Sequence, residues 1–373
     1  MENRDRNEWI ERACQLGPTL AERAAAVDLE GRFVADNYQL LKEQRFLSAL
    51  VPAELGGGGA SYREAVHMLR ELGHYCGSTA LTLSMHSHLV AATVWKYRKG
   101  QPGEQLLRKL AAEQLVLVST GAGDWLQSNG RAERVEGGYR IYGTKRFGSG
   151  SPVGDLAVSS IAYDCPEQGP SVLHFPLSLK ADGVEVRSDW DSLGMRGTGS
   201  NTIHIEGAFV PDAAIALKRP REGWHPVWNV VLTVAPGLYM APYVGVAEAA
   251  AERARQGVKK EPSEVALVQL GEMENQLMIA RLALDSLIAN VQEYDFAPDT
   301  EVANRNLAAK TLISNSCIAV VDKAMEILGG AAYLRAFGFE RLLRDVRGAG
   351  FHPLPEKRQQ LISGRLAVGL SPV

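Results

Sequence analysis

The sequence predicts an α+β protein built of three units: helical, then β, then helical. Two patterns carry this. Apolar residues recur at helical spacing near both ends of the chain, whereas the stretch between them breaks into short β-rich runs separated by Gly, Asp, Pro and Ser clusters. The length, 373 residues, suits two or three units at roughly 100–200 residues each. The expected boundaries are 1–115 for an N-terminal helical domain, 116–217 for a central antiparallel β domain, and 218–373 for a C-terminal four-helix-bundle domain.

Each element has its own signal. Trp9, Ile10, Ala13 and Leu16 share one helical face, and the breaker pair Gly17-Pro18 is expected to end that helix. Phe33, Tyr38, Leu40 and Leu41 mark the next. Ser61 with Glu64 three residues on is a capping-box pattern, opening a helix to Leu72, and Ser78–Tyr97 continues the period. The strand runs are Leu115–Ser119, Tyr139–Tyr142, Leu156–Tyr163, Ser171–Phe175, Val184–Val186 and Thr202–Phe209. Ala132–Val135 and Tyr139–Tyr142 flank Glu136-Gly137-Gly138, a hairpin signal. A strand–glycine loop–helix repeat is missing, which disfavours a Rossmann unit. Beyond residue 218 the helical patterns are Ala241–Gln256, Ser263–Tyr294 and Glu301–Leu328, the last stopped by Gly329-Gly330.

Composition narrows the function. Forty basic residues against 43 acidic ones give a net charge of −3, which argues against nucleic acid or an anionic membrane as partner. An uninterrupted apolar stretch of about 18 residues is lacking, so no transmembrane helix is expected. The N-terminal run MENRDRNEWIERACQLG has no apolar signal core. Cys14, Cys76, Cys165 and Cys317 form no CxxC pair, so we expect reduced thiols in a cytoplasmic protein without a disulfide framework.

Several segments, in order, resemble the acyl-CoA dehydrogenase superfamily. Leu50-Val51-Pro52-Ala53-Glu54-Leu55-Gly56-Gly57 is similar to its early VPxxxGG segment. Gly143-Thr144-Lys145 followed by Phe147-Gly148-Ser149-Gly150 resembles the strand pair that lies against the flavin ring. Leu193 to Ser200, then Phe209-Val210-Pro211, resembles the β-domain exit. Ile327-Leu328-Gly329-Gly330, then Glu340 to Asp345, resembles the C-terminal signature. The resemblance implies a noncovalent flavin, FAD or FMN, between the β domain and the C-terminal helices. It also implies a homodimer or homotetramer.

The residues add chemistry to that resemblance. A flavin needs hydrogen-bonding groups at its pyrimidine edge and N5, and an apolar or aromatic wall. Phe147 offers the wall, Ser149 a hydroxyl, and Gly148 and Gly150 close backbone approach; the same run also suits an ordinary β-turn. Thr120, in the loop Val118 to Trp125, is a second candidate hydroxyl for the ring. Glu326, Gly329 and Gly330 are cofactor-site candidates by resemblance. Met85, His88, Trp125, Arg196, Thr198 and Ser200 are candidate substrate-side residues, and Trp190, Trp224, Trp228 and Tyr239 candidate walls. His86 and His88 lie two apart on a helix and do not share a face, so a metal is not expected.

The expected base is the informative departure. Family dehydrogenases remove a proton with a glutamate held in a dry pocket. At the two family positions this chain carries Pro353 and Ala235; Glu248 and Glu356 lie nearby but displaced. His352 stands beside Pro353, and its placement resembles the flavin monooxygenase branch of the superfamily, where a histidine assists oxygen chemistry on the flavin. The segment Gln256–Pro262 lacks the family's RxxFG run, and Glu326 replaces a Gln that faces pyrophosphate, which suits a protein borrowing reduced FMN or FAD from a separate reductase. The expectation is therefore a flavin-dependent oxidoreductase leaning to monooxygenase chemistry, with His352 catalytic and a small molecule or acyl thioester as substrate. The alternatives are an atypical acyl-CoA or acyl-carrier dehydrogenase with FAD, and a non-catalytic partner protein.

Overall fold

The computed structural model of the chain describes residues 8–121, 124 and 126–373. Among these residues five helices come first: α1 (Glu8–Glu30), α2 (Ala35–Glu43), α3 (Tyr62–Tyr75), α4 (Gly77–Arg98) and α5 (Glu104–Glu113). Ser61 caps α3 by accepting the Glu64 amide proton at 3.1 Å, as its sequence pattern predicts. The expected stop at Gly17-Pro18 is corrected, because α1 runs straight through it. A side chain at Gly17 would place its Cβ 2.3 Å from the Tyr75 ring, so glycine there lets α1 lie close against α3. Burial of Trp9, Ala13, Leu20, Ala24 and Val27 along one face outweighs the hydrogen bond that Pro18 removes.

Among the described residues eight strands follow: β1 (Leu117–Ser119), β2 (Arg131–Val135), β3 (Gly138–Gly148), β4 (Leu156–Cys165), β5 (Gly169–Ser178), β6 (Val184–Val186), β7 (Asn201–Pro211) and β8 (Leu217–Pro220). They form two four-stranded sheets, ordered β1-β4-β5-β8 and β2-β3-β7-β6. All pairings are antiparallel except β1 with β4. The β3–β7 ladder slips between Lys145↔Ile203 and Gly148↔Asn201. That bulge puts Phe147 at φ 61°, a left-handed conformation disfavoured for a bulky residue, and turns its side chain out of the ladder.

The chain then returns to helix: α6 (Pro226–Lys260), α7 (Glu264–Val291), α8 (Thr300–Leu328), α9 (Gly330–Tyr333), α10 (Glu340–Val346) and α11 (Glu356–Ala367). Helix α6 is the axis, packing on α3, α4, α7 and α8. It is long and apolar enough to cross a membrane, but 94% of that apolar window is buried inside the protein. Glu248 on α6 accepts from Arg70 of α3 at 2.8 Å and Arg281 of α7 at 2.7 Å, tying three helices together.

The β-domain exit loop meets α10 at very short range. Asp345 Oδ1 accepts the Met195 amide proton at 2.5 Å. Arg344 grips Asp28 of α1 at 2.9 and 2.5 Å and donates to the Leu193 carbonyl at 3.1 Å. A Cβ on Gly194 would sit 2.1 Å from the Arg344 carbonyl oxygen. Gly194→Ala should therefore destabilise the protein by about 1–3 kcal/mol through overpacking. Gly271→Ala, on α7 with no atom within 4 Å of its added Cβ, should stabilise by about 0.5–1 kcal/mol. Urea unfolding of both variants checks the contrast; equal midpoints would refute the close approach.

Candidate active site

A cavity of about 540 Å³ opens where the β domain faces α4, α6 and the segment after α10. This volume lies within the roughly 300–1,000 Å³ usual for ligand pockets. One wall is aromatic: Phe147 and Trp190 meet edge to face at 6.0 Å, and Trp228, Tyr239 and Tyr243 project from α6. Leu81, Met85, Val231 and Leu232 extend the apolar surface. Ser119, Gly121, Ser149, Thr198 and Ser200 face the same space.

His352, in the segment after α10, lines the cavity against α6. Its ring stacks on Tyr239 at 4.8 Å and 13°, and its Nε2 lies 2.7 Å from the Tyr243 hydroxyl. Burial, then the positive charge of Lys310, holds this imidazole down at about 3, so it is neutral at physiological pH. Burial drives the Tyr243 phenol well above its ordinary value, so it keeps its proton. Lys310, itself buried and lowered to about 8 by desolvation, donates to the His352 and Leu354 carbonyls at 3.0 and 3.1 Å. His88 also lines the cavity, lowered to about 4 by burial. His86 faces away: it accepts the Leu117 amide proton at Nδ1, so Nε2–H donates to the Leu47 carbonyl at 2.8 Å.

Among the described residues, Asp191, exposed at the rim, is the one carboxylate that lines the cavity. Ala235 and Pro353 both line it. Glu248 is turned into its arginine pair. Glu356 lines a separate cavity of about 420 Å³ beside Lys310 and Arg347.

The models of the acyl-CoA dehydrogenase N-terminal domain and C-terminal domain match residues 16–114 and 238–355, together more than half of the chain. The chain belongs to the acyl-CoA dehydrogenase superfamily. Among its relatives, the amino sugar nitrososynthase DnmZ of Streptomyces peucetius is 27% identical over 355 residues, covering 90% of this chain and 87% of that protein. The cyclohex-1-ene-1-carbonyl-CoA dehydrogenase of Geobacter metallireducens is 26% identical over 365 residues, covering 93% of each. The structure of KijD3 in complex with FMN and a dTDP-linked amino sugar superposes with a TM-score of 0.90 at 25% identity, covering 100% of this chain and 95% of that one.

As a member of this superfamily the protein is a flavin-dependent oxidoreductase, and its cavity fits the cofactor. An aromatic and aliphatic wall stands next to hydroxyls at Ser149, Thr198 and Ser200, between the β domain and the C-terminal helices. Of the residues expected from sequence, Met85, His88, Phe147, Ser149, Thr198, Ser200 and His352 come together in one cavity. Gly148 and Gly150 frame Ser149 from outside the lining. Others lie elsewhere. The Thr120 hydroxyl is turned into the sheet, 3.3 Å from the Val158 carbonyl oxygen and 2.9 Å from Ser159 Oγ, while its neighbours Ser119 and Gly121 face the cavity. Arg196 points toward Gly31, after α1. Glu326, paired with Lys323 and Gln269, and Gly329 and Gly330 lie at the exposed end of α8, outside the lining. Trp224 donates to Asn229 at 2.7 Å and is not part of the wall. Trp125 lies outside the described residues.

Sequence reasoning missed Tyr243 and Lys310. Tyr243 had a signal: Ala235, Tyr239 and Tyr243 are spaced i, i+4, i+8 and so share one face of α6. Lys310 had none, being one lysine in an amphipathic helix.

The buried imidazoles make stability pH-dependent. His86 and His88 bind protons in the unfolded chain below about 6.5 but in the fold only near 4. The unfolded state then binds more protons in that window, so stability falls as pH drops. From pH 7 to 5 each imidazole should remove about 2 kcal/mol. Urea midpoints across that range check this; His88→Gln should flatten the decline, and an acid-independent midpoint would contradict it.

Proposed function

We propose that the protein is a flavin monooxygenase that takes reduced flavin, FMN in preference to FAD, from a separate reductase and oxygenates a small molecule. One observation carries the reading. The two positions matched to the family's proton-removing glutamate are Ala235 and Pro353, both facing the cavity, and the group beside them is the neutral imidazole of His352.

Flavin supplies the redox chemistry and, when reduced, the reaction with oxygen. The protein's own groups do the rest. Phe147 and Trp190 would cover a bound flavin ring, and Ser149 would give it a polar contact. Trp228, Tyr239 and Tyr243 keep water away from the reacting centre. His352 holds one proton and one lone pair. It shares a hydrogen bond with the Tyr243 hydroxyl through the 2.7 Å contact at Nε2 and stays uncharged in the resting site, leaving Nδ1 as the second proton donor or acceptor of the ring. Stacking on Tyr239 and the Lys310 bonds behind its carbonyl fix the ring's orientation.

Several features support the finer points. Glu326 is ionised beside Lys323 and Gln269, which disfavours a pyrophosphate there and so favours FMN; KijD3 was solved with FMN. The cations at the cavity, Arg344 and Arg347, are already paired with Asp28 and Asp322, which favours a compact substrate over a coenzyme A ester. An exposed apolar face on α7, with Val265, Val268, Met278 and Leu282, favours a homo-oligomer. The four cysteines are free thiols, in keeping with a cytoplasmic site of action.

The test supplies the protein with FMN, an NADH-dependent flavin reductase and a panel of small aromatic, heteroaromatic and amine compounds under ¹⁸O₂. Products should gain ¹⁸O only when reductase is present. His352→Ala should lower product formation by roughly 10²- to 10⁴-fold, as expected for loss of a proton-transfer group, while changing the Kd for FMN little. Unchanged turnover in that variant would reject the role of His352.

A further inference from the structure

Three hydroxyls run in file from the cavity to a backbone carbonyl. Thr198 Oγ1 lies 3.0 Å from the Met195 carbonyl oxygen. A carbonyl can only accept, so the Thr198 proton occupies that contact. Thr198 Oγ1 must then accept at its 2.7 Å contact with Ser200 Oγ, and Ser200 must accept at its 2.8 Å contact with Ser149 Oγ. Thr198 and Ser200 are 1% and 6% exposed, so water does not compete for these bonds. Each hydroxyl has one proton, and the file therefore has one direction. The Ser149 proton points at Ser200, and its lone pairs face the cavity.

The backbone beside Ser149 adds no donor. Its own amide donates to the Phe147 carbonyl at 3.0 Å, and the Gly150 amide to the Thr198 carbonyl at 3.0 Å. The segment thus presents an acceptor to the cavity while the donors of residues 149 and 150 are engaged.

We propose that Thr198 and Ser200 are positioning residues that fix Ser149 as a hydrogen-bond acceptor, so that the cavity selects reduced over oxidised flavin. The inference rests on the proposed flavin site and deepens it. The ring nitrogen N5 is a bare acceptor in oxidised flavin and carries a proton in reduced flavin. With N5 placed against Ser149, the oxidised ring would leave two acceptors facing each other, whereas the reduced ring would donate a hydrogen bond. An unmet buried acceptor of this kind corresponds to a preference of roughly tenfold. Binding would then load the protein with the redox state that reacts with oxygen.

The test is anaerobic titration of the purified protein with oxidised and with reduced FMN, together with the midpoint potential of the bound FMN. The wild type should bind reduced FMN roughly tenfold more tightly than oxidised FMN, which raises the bound potential by about 30 mV over free FMN for a two-electron couple. Ser200→Ala releases the Ser149 proton toward the cavity, so oxidised FMN should bind more tightly and the ratio should fall toward one. Ser200→Thr restores the hydroxyl and should restore the preference. Thr198→Val deletes the anchor of the file at nearly constant volume, and serves if Ser200→Ala does not fold. A ratio unchanged by these substitutions, in protein that binds both redox states, overturns the hydroxyl file alone. Failure to bind FMN in either state overturns the flavin site beneath it.

Discussion

The Asp345 carboxyl, buried where the β-domain exit loop passes under the C-terminal helices, holds the Met195 amide at 2.5 Å, and the cavity is built around that bond. Burial raises this carboxyl to about 6, a cost the fold bears at the join of its three parts. Arg344, next in sequence, reaches back to Asp28 on α1 and to the Leu193 carbonyl. One dipeptide on α10 thereby locks the first helix, the exit loop and the last helices in one arrangement. Met195 in turn gives its carbonyl to Thr198, and Thr198 gives its own carbonyl to Gly150. The positions of Ser149, Thr198 and Ser200 in the cavity wall follow from this chain of contacts.

Around His88 and His352 the governing fact is charge neutrality. His88 and His352 sit in apolar surroundings that exclude their protonated forms. The nearest cation, Lys310, is engaged by two carbonyls behind His352 and pushes the imidazole further toward neutrality. A site with a fixed cation behind and uncharged rings in front is arranged to receive negative charge, not to generate it by ionising a carboxylate. Reduced flavin brings such charge, which is the physical link between the vacant base positions and the monooxygenase reading.

The architecture was legible in the sequence because it is written in periodicity: the change from helical to strand spacing, the Ser61 cap and the Glu136-Gly137 turn all depend on neighbours a few residues apart. Pro18 misled because the contact that compensates it comes from Tyr75, distant in sequence. Within the site, Phe147, Ser149, Thr198, Ser200 and His352 could be named because they stand in recognisable segments. Their relations could not. The bulge that re-aims Phe147, the Tyr243–His352 contact across 109 positions and the direction of the hydroxyl file all arise from packing between elements. Thr120 shows the same limit from the other side, since the hydroxyl named from its loop points into the sheet and its two neighbours face the cavity.

Among the described residues, Asp191 at the exposed rim is the one carboxylate at the cavity, and the monooxygenase reading depends on its being unable to take a proton from an acyl thioester held inside. Anaerobic addition of short-, medium- and long-chain acyl-CoA esters to the protein carrying oxidised flavin, followed by the absorbance near 450 nm, tests it most directly. The account predicts that the flavin band persists with every ester. Bleaching of the band, with release of the enoyl thioester, would show a working base in the cavity and contradict it.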